Sequence, residues 1–146
     1  MSASSLNEAR PHDRSLITAV MHRYCNMARE NADFAGMSVL YTPTARITFP
    51  DGREVGAHEM AKVVKGNGPT FIRHHATTLD IEFDGDTAAD VVTMYIAITD
   101  QAAPDHWGSW TDRFVKQTDG RWLIDRRTIG VDGATPGGWC AAAYGN

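Results

Sequence analysis

The chain has 146 residues, the length of one domain, and a chain of this size buries about two thirds of its unfolded surface without needing a disulfide or a metal as a staple. Hydrophobic residues make up 42%, charged residues 22% and aromatics 9%, an ordinary globular composition, and the net charge of −4 argues against nucleic acid as a partner, since phosphate binding wants clustered Lys and Arg. No apolar run reaches the ~20 residues of a membrane span, the opening MSASSLNEARPHDRS has no leader core, and Cys25 and Cys140 form neither a metal spacing nor a disulfide framework; a cytoplasmic protein away from membranes is expected.

Residues 1–12 are polar and read as a flexible N-terminus, 13–132 as the folded domain and 133–146 as a tail. From Asp13, placed as the N-cap, Leu16, Ile17, Val20, Tyr24, Met27 and Ala28 recur at three- and four-residue spacing and gather on one helical face. A second short helix is expected over Asp33 to Tyr41, stopped by Pro43. The alternating ARITF (45–49) reads as a strand ending at the turn Pro50-Asp51-Gly52, and AHEMAKVVKG (57–66) as a third helix closed by Gly66, with Met60, Val63 and Val64 inward.

After Gly68-Pro69 the pattern is strand-like throughout. The segments are FIRHHATTLDIEF (71–83), TAADVVTMYIAIT (87–99), WGSWTDRFVK (107–116) and RWLIDRRTIGV (121–131), separated by Asp84-Gly85-Asp86, a polar loop through Pro104, and Asp119-Gly120. Runs this long bend at bulges. Helices followed by antiparallel strands give an α+β fold: a cone-shaped, curved antiparallel β-sheet with three N-terminal helices covering one face, its closed end filled by side chains and its mouth able to hold a small molecule. The tail DGATPGGWCAAAYGN is either disordered or a flap anchored by Trp139.

The succession RYC, ENADFAGMSVLYTPTARITFPDG, RHHATTLDIEFDGDTA and GSWTDRFVKQTDGRWLIDRR resembles the SnoaL-like branch of the nuclear transport factor 2-like superfamily, over roughly residues 14–130. That resemblance implies the cone just described. It also implies a function drawn from a wide set: dehydratases, isomerases, polyketide cyclases, a dehydrochlorinase, accessory subunits and non-catalytic binding proteins. In the dehydratase and dehydrochlorinase members a His–Asp pair does the chemistry. Carried over, E-N-A-D puts Glu30 at the catalytic carboxylate and Asp33 at the second acid, and RHHATTLDIEF puts His74 at the catalytic imidazole. Glu in place of Asp is a departure that moves the carboxylate by about one bond length. The resemblance to the ketosteroid isomerase branch gives Tyr24, in His22-Arg23-Tyr24, the role of oxyanion donor; the aspartate base of that branch falls near Phe49, which cannot move protons but can line a pocket.

The chemistry of such a pair is general. An imidazole with an unperturbed pKa of ~6.5 is the natural proton acceptor near neutral pH, and a carboxylate on one ring nitrogen fixes the tautomer and stabilises the imidazolium. Strict alternation groups His75 with Phe71, Leu79, Ile81 and Phe83, the apolar face, whereas a bulge before Leu79 would put His74 there instead; the motif selects His74, with His75 kept as a substrate contact. On the next strands Asp112 shares parity with Trp110 and Phe114, and Arg126 with Trp122 and Ile124. A charge in apolar company needs a partner, so Asp112 and Arg126 read either as a structural ion pair or as polar pocket wall, and Tyr95 is the polar aromatic of MYIAIT.

His12, His22 and His106 read as surface or loop residues, no histidine pair has metal-ligand spacing, and no phosphate or dinucleotide fingerprint is present, so neither metal nor cofactor is expected. Met21, Met27, Met37, Met60 and Met94, with the phenylalanines, suit a soft pocket lining. Trp107 and Trp110 suggest an exposed apolar sheet face and hence a homo-oligomer, dimer or trimer. The expected activity is a cofactor-independent lyase or isomerase for a small apolar carbonyl compound such as a polyketide, steroid or aromatic catabolite. Its rivals are a polyketide cyclase and a non-catalytic binding or accessory subunit.

Overall fold

Residues 10–28, 34–60 and 68–145 are described by the structure, a computed structural model. Helix α1 spans Pro11–Met27, and the short α2, Phe34–Met37, leads through a 3₁₀ turn at Ser38–Leu40 into β1, Tyr41–Thr48. Strand β2, Glu54–Gly56, and a 3₁₀ turn at Ala57–Glu59 follow, then the long strands β3, Ile72–Asp84; β4, Ala88–Thr99; β5, His106–Lys116; and β6, Trp122–Ala134. A final helix α3, Trp139–Tyr144, closes the chain. Glu30, Asp33 and most of the expected helix 57–66 lie outside the described residues.

The six strands form one sheet in the order β2-β1-β6-β5-β4-β3. It is α+β as expected, but mixed rather than wholly antiparallel, because β1 runs parallel to β6. The expected second helix yields early: α2 has only four residues, and the backbone is extended from Tyr41. Pro43 therefore stops no helix. It sits inside β1, where pairing to β6 shifts between Tyr41 and Arg46 and β2 pairs only from Arg46 on, so the missing N–H breaks no ladder bond.

Helix α1 begins at Pro11 rather than at an Asp13 cap, since proline's fixed φ suits the first helical position. The cap is Arg10, left-handed at φ 45°. Its guanidinium secures that conformation by donating to the Gly85 and Asp86 carbonyls at 2.7 and 2.8 Å and lying 4.1 Å over the Phe83 ring. Asp13 instead accepts from the Trp122 indole at 2.9 Å and pairs with Lys116 at 3.0 Å. Burial opposes its ionisation, but hydrogen bonds from Trp122, Lys116 and Arg10 outweigh that and hold its pKa at about 2.

Bulges bend the sheet and decide which side chains face in. Thr77 is the unmatched residue in the β3–β4 ladder, Asp125 and Asp132 in the β5–β6 ladder. The inner face then carries Ile81, Val91, Tyr95, Trp110, Phe114 and Ile124 against Ile17, Met21 and Tyr24 of α1. Beside the Asp132 bulge the backbones press together: a Cβ on Gly108 would lie 2.1 Å from the Gly130 carbonyl oxygen, so only glycine fits. The outer face leaves Val92, Met94, Ile96 and Trp107 between 39% and 41% exposed. Met94 is thus not pocket lining, and Trp110, 1% exposed on the opposite face from Trp107, is core rather than oligomer surface.

Candidate active site

At one end of the curved sheet lies a cavity of about 100 Å³. Ile72, Ile129 and Val131 of the sheet and Phe49, just past β1, line it with Tyr24 of α1 and its C-cap Ala28, and four rings, His74, Tyr95, His106 and Trp110, form its polar-edged wall. Trp139, Cys140 and Tyr144 of the tail cover it. Of the two expectations for the tail the flap is the one observed: α3 folds back across the mouth, with Cys140 2% exposed. A second hollow of about 160 Å³ adjoins it, sharing Pro50, Val131, Cys140 and Tyr144.

The Thr77 bulge swaps faces within β3, so His74 points in with Leu79 and Ile81, while His75, opposite Ile96, is exposed on the outer face. His75 is consequently no part of the cavity. The His74 ring centre lies 5.2 Å from Trp110, 5.6 Å from Tyr95, 6.1 Å from Tyr24 and 6.2 Å from His106. Its Nδ1 is closed to solvent and has no hydrogen-bond partner among the described residues. Burial, with the nearby His106 and Arg127 charges adding to it, pushes His74 down to about 3, so the ring alone is neutral across the physiological range.

Tyr24, buried at the end of α1, is pushed up by burial and stays a protonated phenol. The Tyr95 hydroxyl donates to the Gly130 carbonyl at 3.0 Å, and its ring stacks on Trp110 at 4.5 Å; its role is to hold the wall.

The expected Asp112–Arg126 pair is replaced by Asp112–Arg127. Asp125 is the extra residue of the bulge, so the parity that places Trp122 and Ile124 inside continues at Arg127, and Arg126 is exposed. The pair is bidentate, Nε to Oδ1 and Nη2 to Oδ2 both at 2.8 Å, and both side chains are 0% exposed. The guanidinium also lies 4.3 Å over Tyr24 and 4.8 Å over Trp110. Neither partner lines the cavity; the pair forms a charged floor beneath its aromatic wall.

His106 is the residue that the sequence reading misplaced. Far from a loop side chain, it is 4% exposed at the start of β5, and its Nδ1 meets Asp105 Oδ1 at 2.7 Å. A signal was present: His106 has the parity of Trp110, Asp112 and Phe114, and starting the strand one residue earlier would have put it on the same inner face. Asp105, itself 0% exposed, also accepts from the Thr99 hydroxyl at 2.9 Å and from the Trp139 and Cys140 amides at 2.7 and 3.0 Å. Burial opposes its charge, yet these donors lower its pKa, so it stands ionised beside the imidazole.

Asp105, His106 and Cys140 have ligand atoms within 4.8 Å of one another, the spacing of a metal site. The chemistry does not suit one. Both carboxylate oxygens already accept two hydrogen bonds each, which an ion would have to displace. Among the described residues no helix is long and apolar enough to cross a membrane.

Comparison with known proteins fits this architecture. Residues 9–128 match the SnoaL-like domain family. No curated protein matches the chain. Among solved structures, a protein of Novosphingobium aromaticivorans provisionally assigned as a scytalone dehydratase shares 22% identity, with 92% of this chain and 91% of that one covered at a TM-score of 0.70. The hexachlorocyclohexane dehydrochlorinase LinA-type3 of Novosphingobium barchaimii shares 14% identity over 87% and 91% of the two chains, TM-score 0.74. Nuclear transport factor 2 of Cryptosporidium parvum shares 14% over 84% and 96%, TM-score 0.69. At such identities the likeness is one of fold. With most of its length matched, this chain belongs to the SnoaL-like domain family and has the nuclear transport factor 2-like fold.

Proposed function

We propose that the protein is a cofactor-independent lyase or isomerase that moves a proton next to the carbonyl of a small, uncharged, largely apolar compound. The observation that carries this reading is the His74 imidazole at the wall of an apolar cavity, with a buried ring nitrogen that no described residue engages. A ring so buried is a weak base by itself. A carboxylate on Nδ1 would raise its basicity and aim Nε2 at substrate, and that is the role the family resemblance gives Glu30, with Asp33 as the second acid. Tyr24, protonated and bordering the cavity, is suited to donate to the oxygen of a developing enolate.

The cavity of about 100 Å³, smaller than the roughly 150 Å³ of an engineered cavity that holds benzene, together with the adjoining hollow of about 160 Å³, favours a compound of about one ring over a long polyketide chain. Aromatic or alicyclic catabolites are therefore better candidates than substrates of a cyclase. The dehydratase-like and dehydrochlorinase structural neighbours support an elimination or isomerisation chemistry. The test is hydrogen–deuterium exchange at the α-carbon of cyclohexanone in heavy water, followed by NMR. Catalysed exchange that falls ~100-fold in His74→Gln is expected; exchange no faster than in buffer would sink the enzymatic reading and leave a binding module.

The apolar outer strip of Val92, Met94, Ile96 and Trp107 supports a homo-oligomer in which a second copy covers this face. Sedimentation should show more than one chain per particle, and Met94→Lys with Ile96→Lys should return monomers.

A further inference from the structure

Two histidines face one cavity here, and only one of them has a described carboxylate. We propose that His106, oriented by Asp105, is a second acid–base group of the pocket, and that docking of the C-terminal helix on the same carboxylate completes it. The inference rests on the function proposed above and adds to it the partner that an elimination needs.

The geometry is specific. His106 Nδ1 is held at 2.7 Å by Asp105, which leaves Nε2 as the proton site of a ring that lines the cavity. The ring centre is 6.2 Å from that of His74 and 5.8 Å from that of Tyr95, so the two imidazoles border the cavity from the starts of β3 and β5, with β4 between them. A carboxylate on the far nitrogen fixes the orientation of the ring, as a triad carboxylate does. Asp105 does not line this cavity and is a positioning residue.

The same carboxylate receives the first two amides of α3, Trp139 and Cys140, and the Trp139 ring stands 5.8 Å from His106. Closing the mouth and arming His106 are thus a single event built on one anion. With the tail docked, water is excluded and the imidazole is fixed. Without it, Asp105 regains solvent and loses two of its four donors.

For a β-hydroxy ketone the step balances as follows. The α-proton passes to His74, and its C–H electron pair becomes the new C=C bond. The β C–O bond breaks with its pair, takes a proton from the His106 imidazolium, and leaves as water. His74 ends protonated and His106 neutral, and exchange with solvent restores both.

The test uses the full chain and two reactions: α-deuteration of cyclohexanone, which needs no leaving-group acid, and dehydration of 3-hydroxycyclohexanone, read by enone absorbance. In His106→Gln, dehydration should fall ~100-fold or more, and at least tenfold further than deuteration does. In Asp105→Asn, the alkaline limb of the dehydration pH profile should move to lower pH, because the imidazolium loses its counter-charge, and amide exchange at Trp139 and Cys140 should accelerate. A merely structural Asp105 would lower the rate without moving the limb. Deuteration retained with dehydration undiminished in His106→Gln overturns this inference and leaves the proposed function standing. Wild-type protein that deuterates nothing overturns both. Should His106→Gln fail to fold, the Asp105→Asn pH profile decides: an unmoved limb rejects the pair.

Discussion

The two ends of the sheet interior make an instructive contrast. Toward the narrow end, Asp112 and Arg127 are fully buried and bidentate, with Met21 Sδ 3.2 Å from Nη2 and the guanidinium face against Tyr24 and Trp110. At the mouth, His74 has an unengaged nitrogen and His106 has one nitrogen committed and one available. The first also holds a buried nitrogen, Arg127 Nη1, with no partner among the described residues, but it belongs to a guanidinium that stays charged and does not line the cavity. The second keeps proton sites at the edge of a cavity. Buried polar groups of this second kind cost stability, and a fold keeps them where they serve a reaction or a ligand.

The contrast can be broken at its strongest point first. Asp112→Asn strips the counter-charge from Arg127 and should cost ~3–5 kcal/mol in chemical denaturation, whereas Arg126→Gln, one residue along on the outer face, should stay within ~0.5 kcal/mol. Equal effects would mean that the pair is not the closed unit described. The His74 and His106 substitutions should do the reverse, altering turnover far more than stability.

A smaller effect comes from acid. The hydrogen bonds to Asp13 hold its carboxyl at about 2 in the fold, below the ordinary carboxylate range, so its contribution to stability is complete above the unfolded value and is lost as the pH falls through the folded one. Asp105 is shifted in the same direction. The melting temperature should therefore hold from pH 7 to about 5 and drop progressively toward pH 2. Asp13→Asn should cost ~2 kcal/mol at neutral pH, by weakening the charged bonds to Trp122, Lys116 and Arg10, and should flatten that drop. A melting temperature unchanged to pH 2.5 would contradict the pairing of Asp13 with Trp122, Lys116 and Arg10.

Much of this architecture is written in local pattern. The turns Asp84-Gly85-Asp86 and Asp119-Gly120, the three-and-four spacing of Ile17, Val20 and Tyr24, and the alternation through Trp110, Asp112 and Phe114 specify α1, the hairpins and the inner face of β5. They do so because helix and strand periods depend only on neighbours along the chain. The possibility of a bulge between the histidines and Leu79 was also open to sequence reasoning, though its position at Thr77 was not.

What only the tertiary structure decided is face and closure. Arg127 rather than Arg126 meets Asp112 because a single unmatched residue, Asp125, resets the alternation, and that mismatch belongs to the ladder with β5 rather than to either strand alone. Asp105 becomes a hub, and His106 a pocket residue, only when α3 returns across the mouth from more than thirty residues downstream. Local sequence fixes the period of a segment; which side of a period is buried depends on cross-strand register and on what covers it, and both are set by contacts between segments far apart in the chain.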